Sequence, residues 1–123
     1  MIATGKRHAS IVANTASIED RAVRAGKASG DLVHPMIYAP EFTNPEFKSA
    51  VADGKNSVAD RMNAQVSCAA QFVANNLAKG FEEGGGEWLH VDMAGPSMKG
   101  ERGTGYGVGL VMALLGCEGF EKV

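Results

Sequence analysis

The sequence predicts an α/β fold, and three features carry that prediction. Short apolar runs fit for strands occur at His8 to Asn14 and Trp88 to Met93. Between and after them, apolar residues recur at helical spacing. Glu87 to Gly116 then reads as strand, glycine-rich loop and helix in succession. That order puts a polar loop at the strand's C-terminal end, where open α/β sheets usually bind ligands.

Taken in order, HASIVAN at His8 to Asn14 is the first strand. Asn14, Thr15 and Ser17 offer N-caps, and Glu19 and Asp20 fall in the first turn, where the helix dipole favours them. The helix from about Ser17 to Ser29 has a thin apolar face of Ile18, Ala22 and Ala25, and Gly30 stops it. Leu32 to Pro40 is extended, because Pro35 and Pro40 exclude helix there. Pro45 opens a short helix, with Phe47 and Val51 spaced i, i+4, ending near Asp53 and Gly54.

Asp53 to Gln65 is the most polar stretch and reads as a surface loop. A helix follows from about Ala64 to Lys79, with Val66, Ala69, Ala70, Val73 and Leu77 as its apolar stripe. Gly80 ends it, and Gly84 to Gly86 make a flexible turn. Trp88 to Met93 is the second clear strand, Gly95 to Gly107 the glycine loop, and Val108 to Leu115 a buried helix, apolar on nearly every side. Two or three strands are few for a parallel sheet covered on both faces, so the unit looks incomplete.

The totals narrow the function. A net charge of −2 with both signs interspersed argues against nucleic acid, which demands a basic face. No apolar run reaches the length of a membrane span. Cys68 and Cys117 give no disulfide framework, which predicts reduced thiols and a cytoplasmic location.

Several constellations admit two readings. The glycines at 100, 103, 105, 107 and 109 invite a nucleotide site, yet G-x-G-x-x-G fails in every register and no P-loop is present. They serve either tight turns and close packing or an anion site at the helix N-terminus. His90 and Asp92 share one strand face, as a metal pair or as a hydrogen-bonded structural pair. Lys99, Glu101 and Arg102 either recognise a charged ligand end or are simply solvated. Asp53, Lys55, Asp60 and Arg61 are either an ion-pair network at a subunit contact or a solvated loop.

Five strings then occur in order and in register: IATGKRHASIVANT, GDLVHPMIYAPEF, SAVADGKNSVADR, WLHVDMAGP and GERGTGYGVGLVMALLG. Together they resemble the C-terminal end of the leucyl (cytosol) aminopeptidase family, and most of all its branch of probable aminopeptidases. The resemblance covers nearly the whole chain. It implies residues 1–123 as one C-terminal segment of a peptidase catalytic domain, part of a mixed sheet flanked by helices. It also implies a two-metal exopeptidase using zinc, manganese or magnesium, hexameric, with peptide substrates. The family's N-T-D-A-E-G-R signature and its upstream lysine and aspartates are absent. The chain therefore inherits no metal ligand and no catalytic residue.

Ala94 and Ser97 match positions that line the pocket for the substrate's first side chain, whereas His90 and Asp92 match positions that are not metal ligands. The expectation is a segment that completes the sheet and part of the substrate pocket, inert alone, with the remaining chain or homologous subunits as partners and no nucleic acid or membrane. The alternative is a stand-alone non-catalytic subunit or oligomerisation protein derived from that fold.

Overall fold

A computed structural model of the chain describes residues 3–120. Its centre is a three-stranded sheet in the order β2-β1-β3, made of β1 (Ala9–Ala13), β2 (Val33–Pro35) and β3 (Leu89–Asp92). β1 runs parallel to β2 and antiparallel to β3, so the sheet is mixed, as expected from the resemblance. The register sets Ser10 opposite His34 on one side and Asp92 on the other. Parallel strands need a crossover, and α1 (Ala16–Ser29) supplies it.

α1 forms where its caps dictate. The Thr15 hydroxyl accepts the Ile18 N–H at 3.4 Å, and Gly30 closes the helix in the left-handed region at φ 84°. Its buried face is Ala22, Ala25 and Gly26, thin as the spacing predicted. Gly26 has to be small: a Cβ there would lie 2.9 Å from the Asp31 carbonyl and 3.3 Å from Val33. Asn14 fastens β3 to the end of β1. Its amide donates to the Gly86 carbonyl at 2.9 Å and its oxygen accepts the Trp88 N–H at 2.9 Å.

α4 (Val108–Leu114) lies against α1. Ala25, Leu110 and Ala113 form the buried cluster, with Val33, Val91, Leu114 and Phe120 packed on it. The helix is not buried throughout, as its composition suggested. Val108 is 61% and Leu115 74% exposed, because α4 packs on α1 from one side only.

The middle of the chain departs furthest from expectation. The helix expected from Pro45 to Asp53 is instead α2 (Pro40–Thr43) followed by a 3-10 turn (Asn44–Phe47). Pro40 opens the first and Pro45 the second, and Lys48 turns extended. Val51, the expected partner of Phe47, is 96% exposed, so nothing draws the helix onward.

α3 (Gln65–Ala74) stops before the expected Lys79. Its buried face is Ser67, Cys68, Ala70 and Gln71, while Ala69 and Val73 of the expected stripe are exposed. Polar bonds choose that face. Ser67 accepts the Ala39 N–H at 3.1 Å, and Gln71 accepts the Tyr38 hydroxyl at 2.6 Å. No helix among the described residues is long and apolar enough to cross a membrane.

Candidate functional site

The glycine loop leaves β3 at Asp92 and enters α4 at Val108, the strand, loop and helix succession read from the sequence. Inside it is a small antiparallel hairpin, β4 (Met98–Lys99) and β5 (Arg102–Gly103). Gly100 turns the hairpin at φ 63°, a conformation free to glycine and costly to other residues.

The first part of the loop carries Ala94 and Ser97. They sit in one turn, closed by the Ser97 N–H on the Met93 carbonyl at 3.1 Å. Asp92 Oδ1 accepts the Ala94 N–H at 3.4 Å, which steers the chain out of the strand. Ala94 is exposed and Ser97 half-buried. A groove of about 620 Å³ borders the same loop, with Lys6, Arg7, Pro96, Met98, Lys99 and Tyr106 among its walls. Neither Ala94 nor Ser97 is part of that lining.

Three residues the sequence did not single out hold the loop in place. Thr104 donates its N–H to the Ser97 carbonyl at 2.9 Å and its hydroxyl to the Pro96 carbonyl at 2.5 Å. The Tyr106 hydroxyl donates to the Leu32 carbonyl at 2.5 Å and accepts the Ala9 N–H at 2.9 Å, joining the loop to the sheet. Burial raises the phenol's pKa, against the Ala9 bond that lowers it, so the hydroxyl keeps its proton and can donate.

Asp31 Oδ2 accepts the N–H groups of Gly107 and Leu110 at 3.0 and 3.1 Å. The chain's own carboxylate therefore takes the place an anion would take at the start of α4. Of the two readings of the glycines, turns and close packing fit the structure: a Cβ on Gly109 would lie 3.1 Å from Ser29 and 3.2 Å from Asp31.

His90 and Asp92 do share a face, yet no hydrogen bond joins them among the described residues. Asp92 instead supports the turn at Ala94. His90 lines a groove of about 550 Å³ with Phe47, Arg61, Cys68 and Phe72. Burial lowers the imidazole's pKa below its ordinary 6.5, against the pull of Asp92. Burial likewise raises the Cys68 thiol, so it stays protonated, and neither it nor Cys117 is disulfide-bonded.

Lys99, Glu101 and Arg102 are exposed on the hairpin. Asp53, Lys55, Asp60 and Arg61 are exposed as well, and Glu46 fastens their loop, accepting the Ala59 N–H at 2.8 Å and the Asn63 amide. Among the described residues no group of three or more His, Cys, Asp or Glu is placed to hold a metal ion.

Known proteins repeat this arrangement. The profile of the cytosol aminopeptidase family, catalytic domain, matches residues 1–112. The chain is 53% identical over 115 residues to the probable aminopeptidase NPEPL1 of Homo sapiens, covering 94% of this chain and 21% of that protein. It is 43% identical over 114 residues to leucine aminopeptidase 1 of Caenorhabditis elegans, covering 92% of this chain and 23% of that protein. Among solved structures, the apo leucyl aminopeptidase of Trypanosoma cruzi superposes with a TM-score of 0.83 at 46% identity, covering 93% of this chain and 22% of that one. The chain thus spans less than a quarter of the length of the relatives it matches.

Proposed function

Since this chain belongs to the cytosol aminopeptidase family, we propose that it is the C-terminal segment of a metal-dependent enzyme that removes N-terminal residues from peptides. The observation that carries this reading is the match of residues 1–112 to the family's catalytic domain. Two features of the chain agree with it. Among the described residues β2 and β3 each have one neighbour in the sheet, which leaves both outer edges open to further strands. The turn with Ala94 and Ser97 lies beyond the C-terminal end of β3, at the rim where the glycine loop begins.

In this reading Ala94 and Ser97 face the first side chain of the peptide. The described residues do not fit a two-metal site, since no acidic or histidine cluster of the needed size is among them. The two divalent ions, zinc, manganese or magnesium, would be held by the rest of the enzyme. The partners are accordingly that remainder, homologous subunits in a hexamer, and the peptide substrate, in the cytoplasm.

The pure 123-residue chain is then expected to release no amino acid from a peptide, with or without added metal. Metal-dependent release by that chain would overturn the division of labour. Its bare sheet edges are expected to drive self-association, read by sedimentation; a monodisperse monomer would count against open edges.

A further inference from the structure

We propose that Thr104 is a positioning residue whose hydroxyl sets the turn carrying Ala94 and Ser97, and so tunes which first side chain a peptide substrate can present. The inference rests on the aminopeptidase reading above. It goes beyond that reading by naming a residue that touches no substrate and still governs selectivity.

Thr104 works on both sides of the loop. Its backbone N–H donates to the Ser97 carbonyl at 2.9 Å. Its hydroxyl donates to the Pro96 carbonyl at 2.5 Å and accepts the Tyr106 N–H at 3.2 Å. Pro96 is buried and has no N–H, so its carbonyl is its sole backbone polar group. The β4–β5 ladder pairs Met98 with Gly103 and Lys99 with Arg102, and so does not reach Pro96. The hydroxyl extends that ladder by one bond, to the residue that immediately precedes Ser97.

The same hydroxyl passes the constraint to the frame. The Tyr106 N–H it accepts belongs to the residue whose phenol is bound to Leu32 and Ala9. Thr104 is exposed, so removing the hydroxyl hands the Pro96 carbonyl and the Tyr106 N–H from a fixed partner to water. The Pro96 peptide between Ala94 and Ser97 is then free to tilt, while the backbone bonds of Ser97 to Met93 and Thr104, the hairpin and α4 persist. The consequence is local to the substrate's side-chain position, so selectivity changes more than overall rate.

The test uses the full-length polypeptide that carries this segment, with leucyl and alanyl amides as the two probes. The readout is the ratio of their kcat/KM values in one preparation, from which any unfolded fraction cancels. Thr104→Val removes the hydroxyl at constant shape and is expected to shift the ratio about 3- to 10-fold, the scale of one net hydrogen bond. Thr104→Ser keeps both bonds and is expected to restore it.

Thr104→Ala loses the same bonds with a smaller side chain, and serves if the valine variant is insoluble. A ratio unchanged in Thr104→Val or Thr104→Ala overturns the proposal, as does an equal shift in Thr104→Ser. Failure of the unsubstituted polypeptide to cleave either amide overturns the aminopeptidase reading instead.

Discussion

The two faces of the sheet are built on different principles. On one, Val33 and Val91 pack against Ala25, Leu110 and Ala113 under α1 and α4. That face is apolar, with Leu110 its largest buried side chain on α4. The other carries Ser10, Val12, His90 and Asp92, of which Ser10 and Val12 are buried. α3 crosses it with Ser67 and Gln71 among its buried residues, and grooves remain at Ser10 and His90. Hydrophobic packing closes the first face, and the second adds the directed polar bonds of Ser67 and Gln71 to buried apolar residues such as Val12, Cys68 and Ala70. The two faces thus differ in how far directed polar bonds, and not apolar packing alone, fix the helices laid on the sheet.

The contrast can be broken hardest in the first face. Leu110→Ala removes a side chain 1% exposed at the α1–α4 contact, and is expected to cost about 2–5 kcal/mol by denaturant unfolding. Val51→Ala, in the middle segment, should change stability by less than about 0.5 kcal/mol. Equal losses in the two variants would erase the distinction.

The second face should respond to lost hydrogen bonds. Ser67→Ala leaves the Ala39 N–H without its acceptor inside the structure, with an expected cost of about 1–3 kcal/mol. Amide exchange at Ala39 should quicken with it, while exchange along β1 should not. If β1 exchange quickens equally, the two faces unfold as one unit.

Asp31 joins the structural face to the glycine loop. Asp31→Asn keeps an acceptor for the Gly107 and Leu110 amides but drops the charge that favours a helix N-terminus. The expected loss is about 0.3–1 kcal/mol at low salt, smaller at high salt. Thermal unfolding at two ionic strengths checks it.

The smallest effect is the pH response of His90. Its folded pKa lies below the ordinary 6.5, so the folded state binds fewer protons than the unfolded state just below that pH. The stability it contributes is therefore full above about 6.5 and declines as pH falls through the window below. Thermal scans from about pH 7.5 to about pH 5.5, across the histidine range, should show a shallower decline in His90→Gln than in the unsubstituted chain; parallel curves would place the imidazole in solvent.

The same contrast decides what the sequence could tell. β1, α1, Gly30, β3 and α4 were legible because local patterns make them: period-2 alternation, a capped amphipathic run, a left-handed glycine. In the segment from Pro40 to Gly86 the surface loop before Gln65 and the existence of α3 were legible, but the helix breaks at Thr43 and Phe47 and the buried face of α3 were not, because they follow from partners remote in sequence, such as Tyr38 with Gln71 and Ala39 with Ser67. Apolar spacing put Val73 inside α3, and the polar bonds of Ser67 and Gln71 rotated it out. At the site, Ala94 and Ser97 came from the five strings and not from any local rule. Asp31 and Tyr106 were illegible, since their bonds to Gly107 and Leu32 span 76 and 74 residues. The glycines around Tyr106 marked a tight loop without saying what it was tied to.

The claim that this chain is one segment of a larger metallopeptidase is tested most directly by the mass and activity of the native subunit. An antibody to the exposed hairpin around Glu101 would recover it from its source. The expected result is a subunit several times heavier than 12.8 kDa that releases N-terminal residues, loses that activity to a chelator and regains it with zinc, manganese or magnesium. A subunit of 12.8 kDa without peptidase activity would contradict it, and would make this fold a free-standing protein whose open face serves another partner.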